Sequence, residues 1–307
     1  MTDRPEKGDD EPLAQLAARV GPSVLAVTVG TEGPSYRPVG ARMAIWPDRS
    51  RSGTLSSGCV EADIATQALE ALDEGRPRQV RYGRGSRFRD IQLPCGGALD
   101  ILLLPDPDRD VLARVAARRE ARQDCFLAID TESGPLELLD DADHAAGRFV
   151  LHLRPALRFS VFGKGPEAAT FTSLAVSAGY EVTLFSPDGE TLDAGRSAGA
   201  GTVHLQGPDL VGDIEADART AVVLFFHDHE WEPPILAATL KTPAFYIGAQ
   251  GSLRAREARM LMLETLGVSE ADRARLHGPI GLIPSARDAR TLAVSVLAEI
   301  LAIAGPD

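Results

Sequence analysis

The sequence predicts an α/β protein in two parts: an α+β first half, then a Rossmann-like doubly wound parallel sheet. Three observations carry that expectation. The chain has 307 residues, long for one domain and comfortable for two. Its first half mixes strand-like and helical segments without regular alternation. Beyond residues 151–157, strands and helices alternate, and that order requires crossovers between parallel strands.

Taken in order, "EPLAQLAARV" reads as a short amphipathic helix. "SVLAVTVGTEG" and "ARMAIWP" follow as strands separated by a Gly/Pro/Ser-rich loop, and "SGTLSSGC" reads as another short extended piece. "VEADIATQALEALDEG" has apolar residues at helical spacing and closes on Gly75. "RQVRYG", "ALDILLLP" and "DCFLAID" add strands, with the helix "DVLARVAARREA" before the last. The second half opens with strand, glycine turn, helix and strand in "LRFSVFGKGPEAATFTSLAVSAGYEVTLFSPDGE". It continues through "GTVHLQ", "TAVVLFFHDH" and "PAFYIGAQGS" to a final helix "ARDARTLAVSVLAEILA". The boundary is placed between residues 153 and 154.

Composition narrows the function. A hydrophobic fraction of 44% with 25% charged residues is that of an ordinary globular protein. A net charge of -12 argues against general nucleic-acid binding and against anionic membranes, because both would be repelled. No apolar run approaches the roughly 18 residues needed to span a bilayer. The polar, acidic start "MTDRPEKGDDEP" is unlike a signal peptide, so a cytoplasmic location is expected. In that compartment three irregularly spaced cysteines make neither a disulfide framework nor a paired structural zinc site.

Three motifs offer chemistry. In "FGKGPEA", Gly163 permits a tight turn, Gly165 lets a phosphate approach the backbone, and Ala168 stands where a third glycine is usual. The helix beginning near Pro166 offers free N–H groups and a positive dipole end. The next strand ends in Ser186 instead of the acid that would hold a ribose hydroxyl, with Asp188 two residues on as a less direct substitute. A second motif, "FFHDHE", puts His227, Asp228 and His229 at the carboxyl end of an apolar strand, where ligands bind in such sheets. If the strand continues, His227 and His229 share one side. These groups suit a metal, an anionic ligand, acid–base work or structural hydrogen bonds alike. Third, Cys59 in "GTLSSGCVEADI" directly precedes a helix, with Glu61 and Asp63 behind it, and Cys95 in "LPCGGALDILL" precedes Gly96 and Gly97. Each could be a nucleophile, a cofactor contact or a small buried filler. Cys125, within a strand, is read as filler.

Together these pieces resemble a known family. "TEGPSYRPVGARMAIWPDRSRSGTLSSGCVEADI", "LPCGGALDILL", the glycine turn, "HDH", "YIGAQGS" and "HGPIGLIPSARDARTLAVSVLAEI" occur in the order found in the xanthine dehydrogenase accessory protein family (XdhC/CoxI-like). The likeness runs from about Val24 to Ala302. It implies an XdhC/CoxI-like N-terminal domain over 1–153 and a Rossmann-like domain over 154–307. It also implies a maturation factor that binds the molybdenum cofactor, shields it while a cysteine desulfurase adds its sulfido ligand, and delivers it to a xanthine dehydrogenase-like molybdenum hydroxylase. A homodimer is the family expectation. The matching first-domain positions are Arg37, Gly40, Arg42, Gly58, Cys59, Glu61, Cys95, Gly96 and Gly97. In the second domain they are Gly163, Gly165, His227, Asp228, His229, Gly248, Gly251 and Ser252. Arg37 or Arg42 would receive phosphate, and a thiolate from Cys59 or Cys95 would ligate molybdenum or relay sulfur, since soft metals favour sulfur.

Three positions depart from the family pattern. Ser57 stands in place of a glycine beside Cys59, Ser186 in place of the acid, and Glu232 in place of an aspartate after the histidines. The rival readings are an NAD(P)- or FAD-dependent oxidoreductase using the glycine turn, a metal hydrolase using His227, His229 and a cysteine, and a scaffold that binds only a partner enzyme.

Overall fold

The structure, a computed structural model, describes residues 11–56, 58, 60–86, 93, 96–145, 147–207, 214–227 and 230–305. Ser57, Cys59, Cys95, Asp228 and His229 lie outside the described residues. The chain divides into two compact units whose sequence boundary falls between Pro155 and Ala156.

The first unit is built on a five-stranded antiparallel sheet. Its strands are β1 (Val24–Glu32), β2 (Arg42–Ile45), β3 (Arg51–Gly53), β4 (Arg78–Gly83) and β5 (Ala98–Pro105), in the order β3-β2-β1-β5-β4. Both faces are covered, and the alternation along β1 shows how. Val24 and Ala26 join Met43, Ile45, Ile101 and Leu103 beneath helix α2 (Glu61–Glu74), which contributes Ile64, Ala65, Ala68 and Ala71. Leu25 and Val27 face the other way, to α1 (Glu11–Ala18), α3 (Arg109–Glu120) and a three-stranded antiparallel sheet. That small sheet pairs β7 (Leu136–Leu139) with β6 (Cys125–Ile129), and β6 with β8 (Phe149–Leu153). Local chemistry sets the helix ends. Gly75 closes α2 in the left-handed conformation at φ 63°, and the Asp108 side chain caps α3 by accepting from the backbone of Asp110 and Val111. Cys125 is fully buried in this core, the filler role read from its sequence.

The second unit carries six parallel strands: β9 (Arg158–Gly163), β10 (Glu181–Ser186), β11 (Gly201–His204), β12 (Thr220–Phe225), β13 (Tyr246–Ala249) and β14 (Leu276–His277). Their order, β11-β10-β9-β12-β13-β14, is the doubly wound arrangement expected from the sequence, and it reverses between β9 and β12. Helices α4 (Pro166–Ser177) and α9 (Ala289–Ala304) cover one face, with α5 (Gly189–Ala198) packed beside α4. Helices α6 (Glu232–Thr239) and α7 (Leu253–Thr265) cover the other, and a short α8 (Glu270–Ala274) leads into β14. Among the described residues no helix is long and apolar enough to cross a membrane.

Several details depart from the sequence reading. The extended piece expected over "SGTLSSGC" stops at Gly53, whose φ is 83° and where a Cβ would lie 2.4 Å from the Arg42 carbonyl oxygen. Strand β12 ends at Phe225, so the alternation proposed to align His227 with His229 does not reach them. Strands β7 and β8 have no counterpart in the sequence reading. "LELLDD" is short and acidic, and β8 buries only Leu151 and Leu153.

Candidate functional site

Register brings the segments that carry the first-domain candidates off one end of the five-stranded sheet. Glu32 pairs with Ala98, Gly83 with Ala98, Arg42 with Val27, and Gly53 with Met43. The segments 33–41, 54–60 and 84–97 therefore all leave the sheet at the same end. They carry Arg37, Gly40, Gly58, Cys59, Cys95, Gly96 and Gly97, while Arg42 opens β2 and Glu61 opens α2 beside them. Leu55 and Val60, flanking the Cys59 loop, share a buried cluster with Leu93 and Leu99, which flank the Cys95 loop. Tyr82, also in that cluster, donates its hydroxyl to Asp63 at 2.6 Å and fastens β4 to the first turn of α2.

Glu61 organises the segment before α2. Its Oε1 accepts from Thr54 Oγ1 at 2.6 Å, from the Ser56 N–H at 2.9 Å and from the Leu55 N–H at 3.3 Å. Its Oε2 accepts from Ser56 Oγ at 2.9 Å and from the Val60 N–H at 3.2 Å. Burial alone would raise this carboxyl. The hydrogen bonds from Thr54, the Gly58 backbone and Ser56 outweigh it and hold the group at about 2. The carboxylate thus does for this loop what a bound anion does in a nest of N–H groups. The donors of 55, 56, 58 and 60 are turned toward Glu61 and away from any phosphate.

The glycines divide into two kinds. At Gly97 a Cβ would lie 2.1 Å from the Pro34 carbonyl oxygen, and at Gly83 it would lie 2.1 Å from that of Gly97. These two are required by the chain's own close approach. Gly58 and Gly96 have φ of 95° and 72°, and among the described residues a Cβ on either would meet nothing within 4 Å. Arg42 is 8% exposed and donates Nη1 to the Gly40 carbonyl at 2.9 Å, so it shapes the β1–β2 turn. Arg37 is half-buried on the same turn. Two further arginines, both in the arginine-rich stretch "RYGRGSRFRD", stand at this end. Arg81 binds Asp100 through Nη1 and Glu32 through Nη2, and Arg84, more exposed, reaches Glu32 at 3.5 Å and the Gly96 carbonyl at 3.4 Å.

In the second unit the glycine turn lies at the strand-order reversal, as expected. Gly163 pairs with Phe225 across β9 and β12, and a Cβ there would lie 2.7 Å from the Phe225 carbonyl oxygen. Gly165 precedes α4 at φ 87°. Its N–H, however, is given to Thr191 Oγ1 at 2.9 Å. Thr191 Oγ1 in turn donates to Asp188 Oδ2, which also accepts the Thr191 N–H at 2.8 Å as the cap of α5. Hydrogen bonds from Thr191, helped by the charge of Lys164, lower the Asp188 carboxyl below its ordinary range. Asp188 is therefore a helix cap rather than a stand-in for the ribose acid, and Ser186 is buried, accepting the Asp188 N–H. Glu167, in the first turn of α4, places Oε1 3.5 Å from Nε2 of the exposed His227.

Neighbouring loops are braced from below. Glu232 and Arg259, each side chain 3% exposed, form a two-pronged ion pair at 2.9–3.1 Å, and Arg259 also donates to the Gln250 carbonyl at 2.8 Å. This ties the start of α6, just after the histidines, to the β13–α7 turn. Ser252 caps α7 through the Ala255 N–H, and at Gly248 a Cβ would collide with Tyr246 and Ile280. Among the described residues no group of three or more His, Cys, Asp or Glu is placed to hold a metal.

Comparison with known proteins decides the family. A profile described as the XdhC and CoxI family matches residues 16–83, and one described as the XdhC Rossmann domain matches residues 159–300. The molybdenum cofactor insertion chaperone PaoD of Escherichia coli K12 is 35% identical over 284 residues, 92% of this chain and 83% of that protein. The chain belongs to the XdhC and CoxI family. A second relative, a probable xanthine dehydrogenase subunit of Bacillus subtilis 168, is 23% identical over 313 residues, 91% of this chain and 92% of that one. The crystal structure of a xanthine dehydrogenase from Bacillus halodurans matches with a TM-score of 0.77 at 23% identity, covering 97% of this chain and 96% of that one, which shows the shared fold. In this XdhC/CoxI-family chain the first profile takes in β1 to β4 and the Cys59 loop, while the Cys95 loop lies beyond it.

Proposed function

We propose that this protein is an accessory factor that binds the molybdenum cofactor and hands it to a xanthine dehydrogenase-like molybdenum hydroxylase. One observation carries the reading: three segments leave a single sheet end, and Leu55, Val60, Leu93 and Leu99, which flank the two cysteines in sequence, share one core cluster. The likeness to a molybdenum cofactor insertion chaperone supports it.

The residues fit such a cargo. Among the described residues nothing lies within 4 Å of a Cβ built on Gly58 or Gly96, the glycines next to the two cysteines in sequence. Cys59 and Cys95 would hold the metal through thiolates, and Arg37 and Arg84 would meet the phosphate. Bound cofactor supplies a dithiolene-held molybdenum whose sulfido ligand the client needs. Glu61 fixes one loop, and the Gly97–Pro34 approach fixes the other. On this reading the factor works in the cytoplasm and shields the cofactor while a cysteine desulfurase sulfurates it. A second copy of the chain is the proposed partner for the exposed apolar residues Leu253, Leu261, Met262 and Leu266 on and just after α7. An oxidoreductase reading with NAD(P) or FAD has less support, because the Gly165 N–H is already spent and Glu167 adds negative charge where a pyrophosphate would sit.

Incubation with cofactor-loaded extract, followed by repurification, tests the proposal. The expected result is retained molybdenum together with pterin fluorescence after oxidation, both reduced in Cys59→Ala or Cys95→Ala. Full retention in both cysteine variants would remove the thiols from the mechanism.

A further inference from the structure

The strand-order reversal of a parallel sheet normally presents N–H donors to a phosphate. Here the donor at Gly165 is consumed by Thr191. What faces the turn instead is an acceptor. The Glu167 side chain is only 21% exposed, and among the described residues its carboxylate has no hydrogen bond, only His227 Nε2 at 3.5 Å. Its Oε2 would lie 3.8 Å from a Cβ on Gly165, so the carboxylate stands over the open side of the glycine turn. A second acceptor on the same sheet edge is also without a partner among the described residues. Gln250 follows β13 and donates its N–H to Leu224 of β12, and its Oε1 is buried and unbonded.

A carboxylate accepts hydrogen bonds and donates none, and two parallel donors satisfy both its oxygens at once. The 2-amino-4-oxopyrimidine edge of a pterin or a guanine offers that pair, a ring N–H beside an exocyclic amino group. We propose that Glu167 is a binding residue for such an edge, with His227 holding the carboxylate from the other side. The Rossmann unit of this chain thereby reads a base-like ring in place of a pyrophosphate. Assigning the ring to the pterin of the cofactor rests on the cofactor reading above; the recognition chemistry itself does not.

Fluorescence and calorimetric titration of the full chain test this, with 6-hydroxymethylpterin, GMP, NAD and 6-hydroxymethyllumazine as probes. The lumazine carries an oxo group where the pterin has its amino group. Wild type is expected to bind the pterin or GMP, and the tighter of the two identifies the source of the ring. Glu167→Gln, which keeps shape and removes charge, should weaken that binding about ten- to hundredfold with an unchanged circular dichroism spectrum. The lumazine and NAD should bind poorly to both proteins. Equal affinity in Glu167→Gln, equal binding of pterin and lumazine, tighter binding of NAD, or no binding of either ring by wild type would overturn the assignment. Cofactor retention by the same proteins separates the two readings. Retention and ring binding both unaltered in Glu167→Gln overturn this inference and leave the accessory function standing. Glu167-dependent binding of GMP by a protein that retains no cofactor does the reverse.

Discussion

At the scale of single residues, Glu61 has the most defined role. Both oxygens are saturated by the loop that precedes α2, and its carboxyl is held at about 2 against an ordinary value of 4.5. A carboxyl whose value is lowered on folding stabilises the fold fully above 4.5, and that contribution is lost as pH falls toward about 2, because the unfolded chain takes up its proton first. Glu61→Gln should therefore cost about 2–3 kcal/mol at pH 7, and the gap to wild type in urea denaturation should narrow as the pH is lowered below 4.5. The Glu232–Arg259 pair makes the complementary case. Removing one partner leaves a charge buried alone, so Arg259→Met should cost about 3–5 kcal/mol, and Arg259→Met combined with Glu232→Met should cost clearly less than the sum of the two single changes. Neither role could be read from the sequence. Glu61 could be read as a ligand and Glu232 as a shifted motif position, because hydrogen-bond partners arise only when the loops close.

Among the elements, the glycine turn was legible in type and misleading in chemistry. A glycine pattern between a strand and a helix announces a tight crossing, and the crossing is there, with Gly163 packed against Phe225. Gly163→Ala would force β9 and β12 apart and should destabilise the chain by about 1–3 kcal/mol, measurable as a lowered urea midpoint. The pattern does not reveal who receives the Gly165 N–H, since Thr191 lies 26 positions away on α5. Strand β12 shows a similar limit: its apolar run continues to Phe226, yet pairing stops at Phe225, so the face of the following histidines could not be read by alternation. The segments around the two cysteines are legible only in where they leave the sheet. Small residues around Cys59 and Cys95 signal turns, and antiparallel register takes the chain off the same sheet end after Gly53 and after Gly83.

For the whole molecule, the doubly wound sheet was the most readable feature, because buried parallel strands such as "TAVVLFF" and capped helices between them leave few other folds. The three-stranded sheet of the first unit was not, since β7 and β8 bury too few residues to leave a pattern. Among the described residues each unit encloses two core clusters of its own. A fragment of residues 156–307 should therefore unfold cooperatively on its own; a broad, non-cooperative melt would show that it depends on the rest of the chain. If α7 pairs copies of the chain, Leu261→Asp should shift the mass seen by light scattering from dimer to monomer without loss of helix content.

The proposed function is the carriage of a molybdenum cofactor. Its most direct measurement is the molybdenum and oxidised-pterin content of protein repurified from cofactor-loaded extract, compared with Cys59→Ala and Cys95→Ala. A cofactor carrier is expected to show molybdenum and pterin in equal amounts on the wild-type chain and a clear loss in the cysteine variants. Wild-type protein that retains neither would contradict it.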